Sequence, residues 1–126
     1  MKKLLTIALP LLMAVACTAQ KSPEDVTTTE AKELIQNEEV VVLDVRTQNE
    51  WNNGHIEGAT HMDFYGDDFE AKLAELPKDK EYVVYCHSGN RSGKTVAKMK
   101  AAGFDNVHNL TGGITAWSGD GNETVK

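Results

Sequence analysis

A chain of 126 residues with a net charge of −6 and a pI near 5.1 has room for one domain and no basic surface to meet phosphates, so nucleic-acid binding is excluded as its working class. Hydrophobic residues make up 40% of the chain, enough for one core. The two cysteines, Cys17 and Cys86, are too few for a disulfide framework, so stability has to come from that core.

The chain opens with Lys2 and Lys3, then an apolar run from Leu4 to Ala16 that closes on small residues before Cys17. A positive start, a short apolar stretch and small residues at its end describe an export signal over residues 1–16. As a helix the run would span roughly 20 Å against the ~30 Å of a bilayer core, and Pro10 interrupts it. Ala14-Val15-Ala16-Cys17 resembles a bacterial lipoprotein signal, in which Cys17 becomes the lipid-anchored first residue. The alternative is cleavage after Ala16 or Ala19 and a soluble periplasmic protein. Either way the expected location is the periplasmic side of a bacterial envelope. Residues 17–26 are polar, contain Ser22-Pro23 and lack periodicity, which predicts a tether.

From residue 27 the pattern alternates. Thr27 and Glu30 fit a capping box, followed by Ala31, Leu34 and Ile35 at helical spacing. Val40 to Leu43 is an unbroken apolar run, the mark of a strand covered on both faces. Thr47 and Glu50 repeat the capping pattern before a short helix that Gly54 would stop. A brief strand is predicted near 59–62, a helix over 68–75 ended by Pro77, and a second buried strand over 81–85. A helix over 94–102 ends at Gly103, a last strand covers 107–110, and a short segment runs from Gly112-Gly113 to Trp117. Trp51 and Trp117 are expected as packing anchors, and 118–126 as a flexible polar tail. Strands alternating with helices imply an α/β domain: a small parallel sheet with helices on both faces.

The chemistry concentrates where the second buried strand ends. It runs into Cys86-His87-Ser88-Gly89-Asn90-Arg91-Ser92. A strand, a glycine turn and a helix place the sulfur at the carboxyl edge of the sheet, where open α/β sheets hold ligands. Convergent loop amides, the helix N-terminus and the Arg91 charge would all favour thiolate over thiol. A structural cysteine would instead sit among apolar neighbours. His87, Ser88 and Asn90 suit the rim of an anion site.

These residues carry a family resemblance. Cys86 to Ser92 resembles the active-site loop of rhodanese-like domains. Leu43-Asp44-Val45-Arg46 with Glu50-Trp51 and Gly54-His55-Ile56-Glu57-Gly58-Ala59 resembles the family's amino-terminal signature. Gly103-Phe104 and Leu110-Thr111-Gly112-Gly113 with Trp117 resemble its carboxyl-terminal one. The likeness covers residues 27–117, a single rhodanese-like domain, and is nearest to the exported single-domain members. It implies a sulfurtransferase. Cys86 would take sulfane sulfur from a donor such as thiosulfate, hold it as a persulfide and pass it to cyanide or a thiol. Residues His87, Ser88, Gly89, Asn90, Arg91 and Ser92 would bind the substrate, with Arg91 clamping the anionic donor. Asp44, Arg46, Glu50 and His55 match family positions and are expected to pair and fix loops. No organic cofactor or metal is implied, and the four histidines lack zinc-site spacing.

Two rivals remain. Cysteine phosphatases and arsenate reductases have a related loop, but with Arg six positions after the Cys; here Arg91 is at the fifth and Ser92 at the sixth. A persulfide carrier or binding module acting through a protein partner, such as a thiol redox protein, is the other. Turnover with thiosulfate and cyanide separates it from an enzyme.

Overall fold

The computed structural model describes residues 24–126, so the export segment 1–16, the Cys17 anchor and most of the expected tether lie outside the described residues. The described chain forms β1 (Asp25–Val26), α1 (Thr28–Ile35), β2 (Val41–Asp44), α2 (Gln48–Asn52), β3 (Thr60–His61) and α3 (Phe69–Glu75). It continues with β4 (Glu81–Tyr85), α4 (Asn90–Ala101), β5 (Asn106–Leu110) and α5 (Gly113–Gly119). Both capping boxes form. The Thr27 hydroxyl accepts the Glu30 N–H, the Glu30 carboxylate accepts the Thr27 N–H, and Thr47 and Glu50 repeat the exchange.

The five strands make one parallel sheet in the order β1-β5-β4-β2-β3. Alternation along β4 divides its side chains between two cores. Tyr82 and Val84, with Cys86 just beyond, face Val96 and Met99 of α4 and Phe69 and Leu73 of α3. Val83 and Tyr85 face Ala31 of α1 and Trp117 of α5. Val83 and Val84 are fully buried, each worth roughly 1.5–3 kcal/mol of transfer free energy, which is why the run carries no polar position. Helices cover both faces, as the sequence pattern implied. Among the described residues no helix is long and apolar enough to cross a membrane.

Strand order locates the site. From β2 the chain moves outward to β3, then returns to place β4 on the other side of β2. The connections that leave the paired carboxyl ends of β2 and β4 therefore part, and the crevice between them is the topological switch point. At this edge Asp44 and Arg46 form a buried ion pair, with side chains 0% and 5% exposed. Arg46 Nε lies 3.1 Å from each Asp44 oxygen, while Nη2 reaches Oδ2 at 2.8 Å and the Gly54 carbonyl at 2.7 Å. The pair ties the end of β2 to the turn after α2.

Two segments differ from expectation. Residues 25–26, read as tether, pair with Asn109 and Leu110 as an edge strand. The tail is not loose. Val125 and His55 exchange backbone hydrogen bonds at 2.8 Å in each direction, and the Trp117 indole donates to the Glu123 carbonyl at 3.0 Å. Neither leaves a trace in apolar periodicity, because residues 25–26 and the tail make these contacts through their main-chain groups.

Arg46→Met should leave the Asp44 carboxylate buried without a counterion and cost about 3–5 kcal/mol in urea unfolding. The double variant Asp44→Asn/Arg46→Met should recover part of that loss, since no charge then stays buried.

Candidate active site

Cys86 follows β4 directly and sits at the floor of the crevice with only 1% of its surface exposed. Burial alone pushes its thiol up, toward the neutral form. Hydrogen bonds from the Ser92 hydroxyl and from the backbone of Ser92, Gly89 and Ser88 outweigh that, and the net shift is downward. The Gly89 N–H donates to Sγ at 3.1 Å, and Ser92 Oγ lies 3.2 Å from Sγ. A lowered value means more thiolate at neutral pH, and thiolate is the nucleophile.

Backbone conformation makes this arrangement possible. Gly89 adopts φ +109°, a left-handed state that costs a side-chain-bearing residue free energy. That twist turns the chain from strand into helix within four residues and brings the Gly89 N–H over the sulfur. The helix therefore begins at Asn90, earlier than the 94–102 pattern suggested, and Asn90, Arg91 and Ser92 belong to its first turn. Hydrophobic spacing could not report a turn made of Asn, Arg and Ser.

The loop carbonyls are held on the far side. Ile114 N–H donates to the Cys86 carbonyl at 2.9 Å. The Thr115 N–H and hydroxyl donate to the His87 carbonyl at 3.2 and 2.9 Å. A trans peptide sends its N–H opposite its C=O, so with the His87 carbonyl held away the Ser88 amide is turned toward the sulfur. Gly113 allows α5 to come this close. A Cβ there would lie 2.5 Å from the Cys86 carbonyl oxygen, and φ is +57°. The sequence held this Gly-Gly pair as part of a resemblance without assigning it a task.

The remaining expected residues separate into rim, floor and brace. His87, Ser88 and Asn90 are exposed around the opening. Ser92 is fully buried beneath the sulfur and is a partner of the thiol rather than a rim residue. Arg91 carries its charge in an ion pair. Its Nη1 and Nη2 meet Glu50 Oε1 and Oε2 at 2.8 and 2.9 Å, a two-pronged bond across the crevice from α4 to α2. That fork holds the Glu50 carboxyl down to about 2, against the pull of partial burial and with help from Thr47. The exposed ring of Tyr65 faces the Arg91 guanidinium at 5.9 Å, a contact no sequence pattern indicated. His55 lies away from the sulfur, stacked on Trp51 with ring centres 3.5 Å apart, and His61 stacks on the same indole at 5.0 Å. Trp51 is thus a packing post between two imidazoles. Among the described residues no group of three or more His, Cys, Asp or Glu is placed to hold a metal ion.

The family model for the rhodanese-like domain matches residues 27–120. The chain belongs to the rhodanese family. This rhodanese domain is 35% identical over 91 residues to a sulfurtransferase of Allochromatium vinosum, a match covering 72% of this chain and 83% of that protein. It is 31% identical over 85 residues to the thiosulfate sulfurtransferase GlpE of Shewanella oneidensis, covering 68% and 82%. Among solved structures it superposes on a rhodanese-related protein from Thermoplasma volcanium with a TM-score of 0.72 at 29% identity, covering 82% of this chain and 98% of that one.

The Glu50–Arg91 pair has a pH signature. The folded value of Glu50 lies below its ordinary 4.5, so the pair stabilises the fold above that pH and the contribution is lost as pH falls toward 2. Thermal unfolding followed from pH 5 to pH 2 (on the order of the two values just given) should fall less steeply for Glu50→Gln than for the parent chain.

Proposed function

We propose that this protein is a sulfurtransferase that carries sulfane sulfur as a persulfide on Cys86, with thiosulfate as donor and cyanide or a small thiol as acceptor. One observation supports this above others: a buried sulfur with the Gly89 amide at 3.1 Å and the Ser92 hydroxyl at 3.2 Å is built to be an anion. The relatives' names point the same way.

The Cys86 thiolate attacks the outer sulfur of thiosulfate. A sulfur–sulfur bond forms to the enzyme, the one to the sulfonate breaks, and sulfite departs with the electron pair. The acceptor's lone pair then attacks the outer sulfur of the persulfide, and the enzyme's own S–S electrons return to Cys86 as thiolate. Covalent catalysis splits one transfer into two steps, and the loop amides stabilise negative charge in each. Arg91 is proposed to hold the donor. A guanidinium has five N–H donors, and the two arms that meet Glu50 leave others for the oxygens of thiosulfate. Four residues from Cys86 to Gly89 make a tight turn, which suits one sulfur atom better than the tetrahedral oxyanion of a phosphatase. The same proposal keeps the domain outside the cytoplasm, anchored through lipid on Cys17.

After treatment with thiosulfate, mass spectrometry should show one added sulfur on the parent chain and none on Cys86→Ser; equal labelling of both would sink the proposal. Arg91→Ala should raise KM for thiosulfate by about tenfold or more, the loss expected for a charged hydrogen bond. If Glu50→Gln has the same effect, Arg91 serves as a brace to α2 and not as the clamp.

A further inference from the structure

Gly89 is held at both ends. Its N–H is on the sulfur, and its carbonyl accepts two donors from the opposite direction. One is the Gly93 N–H at 3.1 Å, the first hydrogen bond of α4. The other is Asn109 Nδ2 at 3.2 Å, from a neighbouring strand and twenty residues away in sequence. Because a carbonyl only accepts, the Asn109 amide has to present its nitrogen here.

That orientation has a cost that makes the residue informative. With Nδ2 on Gly89, Asn109 Oδ1 is buried and finds no hydrogen-bond partner, the one such side-chain atom among the described residues. An orphaned buried oxygen is unfavourable, and an apolar residue would avoid it on a strand whose neighbours include Val107 and Leu110. Packing therefore does not explain an asparagine. A Cβ built at Gly93 would meet Nδ2 at 3.4 Å, an ordinary van der Waals contact, so the first turn of α4 packs directly on this amide.

The Gly89 carbonyl belongs to the Gly89–Asn90 peptide. Fixing it away from the sulfur turns the Asn90 N–H toward the sulfur side, as Ile114 and Thr115 do for the Cys86–His87 and His87–Ser88 peptides. Resting on the persulfide reading above, we propose that Asn109 is a positioning residue, which locks Gly89 so that the loop amides face the reacting sulfur.

The test uses Asn109→Leu and Asn109→Ala in the full chain, with Val107→Ala on the same strand as a destabilised control. Two quantities are read: the pH midpoint of Cys86 alkylation by iodoacetamide, and the rate of persulfide formation from thiosulfate. Both Asn109 variants should raise the alkylation midpoint and slow persulfide formation roughly fivefold, the worth of one hydrogen bond. Asn109→Leu should do so without lowering the melting temperature, since it removes the orphan oxygen. Val107→Ala should melt lower with an unchanged midpoint. Parental midpoints and rates in both Asn109 variants would overturn the assignment, as would a midpoint that simply tracks melting temperature across all three. If no chain forms a persulfide yet the Asn109 midpoints still rise, the sulfur-transfer reading fails while the positioning role stands. Should the Leu variant not fold, Asn109→Ala carries the same two readings.

Discussion

A sulfur atom with 1% of its surface exposed cannot rely on water to carry a negative charge, so the protein has to replace hydration with fixed donors. Everything around Cys86 follows from that constraint. Apart from the Ser92 hydroxyl, the donors are main-chain amides, which can face the sulfur only if the carbonyls of their peptides are engaged elsewhere. Those carbonyls are taken up by the first turn of α5, by α4 itself and by one side chain on β5. The nucleophile is thus prepared by parts of the chain that never touch it.

Formal charge is arranged differently from main-chain charge. Two ion pairs flank the crevice, Asp44–Arg46 at the end of β2 and Glu50–Arg91 across it, and each neutralises itself. The first is sealed in the interior and sets the direction of the chain leaving β2. The second is partly open and joins the helix after β2 to the helix after β4. Because the crevice arises where the sheet reverses its direction of growth, these two elements have no backbone ladder between them beyond the strand ends. A two-pronged guanidinium bond supplies rigid spacing where hydrogen-bonded strands no longer can.

Much of this was legible in the chain of letters, and the reason is physical. Val40 to Leu43 and Tyr82 to Tyr85 are apolar without alternation because helices cover both sheet faces, and that pattern alone points to a parallel sheet. Thr27 with Glu30 and Thr47 with Glu50 announce helix starts because capping is local. Cys86 stands out because a strand, a glycine turn and a helix define the edge where it sits. What stayed hidden depends on distant contacts. Glu50 and Arg91 lie forty-one positions apart, and Asn109 lies twenty from Gly89, so no spacing rule joins them. The start of α4 was missed because its first turn is polar, the edge strand β1 because two residues are too few to show a pattern.

The pairing of Val125 with His55 bears on what the segment after α5 does for the fold. The last helix ends at Gly119, yet the chain goes on to cover the Trp117 indole and to occupy the backbone of His55, which stacks on Trp51 one residue from Glu50. A chain trimmed to its last helix would keep every element of the sheet and every atom of the Cys86 loop. It would still expose a buried indole N–H and release the turn that Arg46 grips through Gly54. Residues 123–125 thereby act as a clasp beside the crevice.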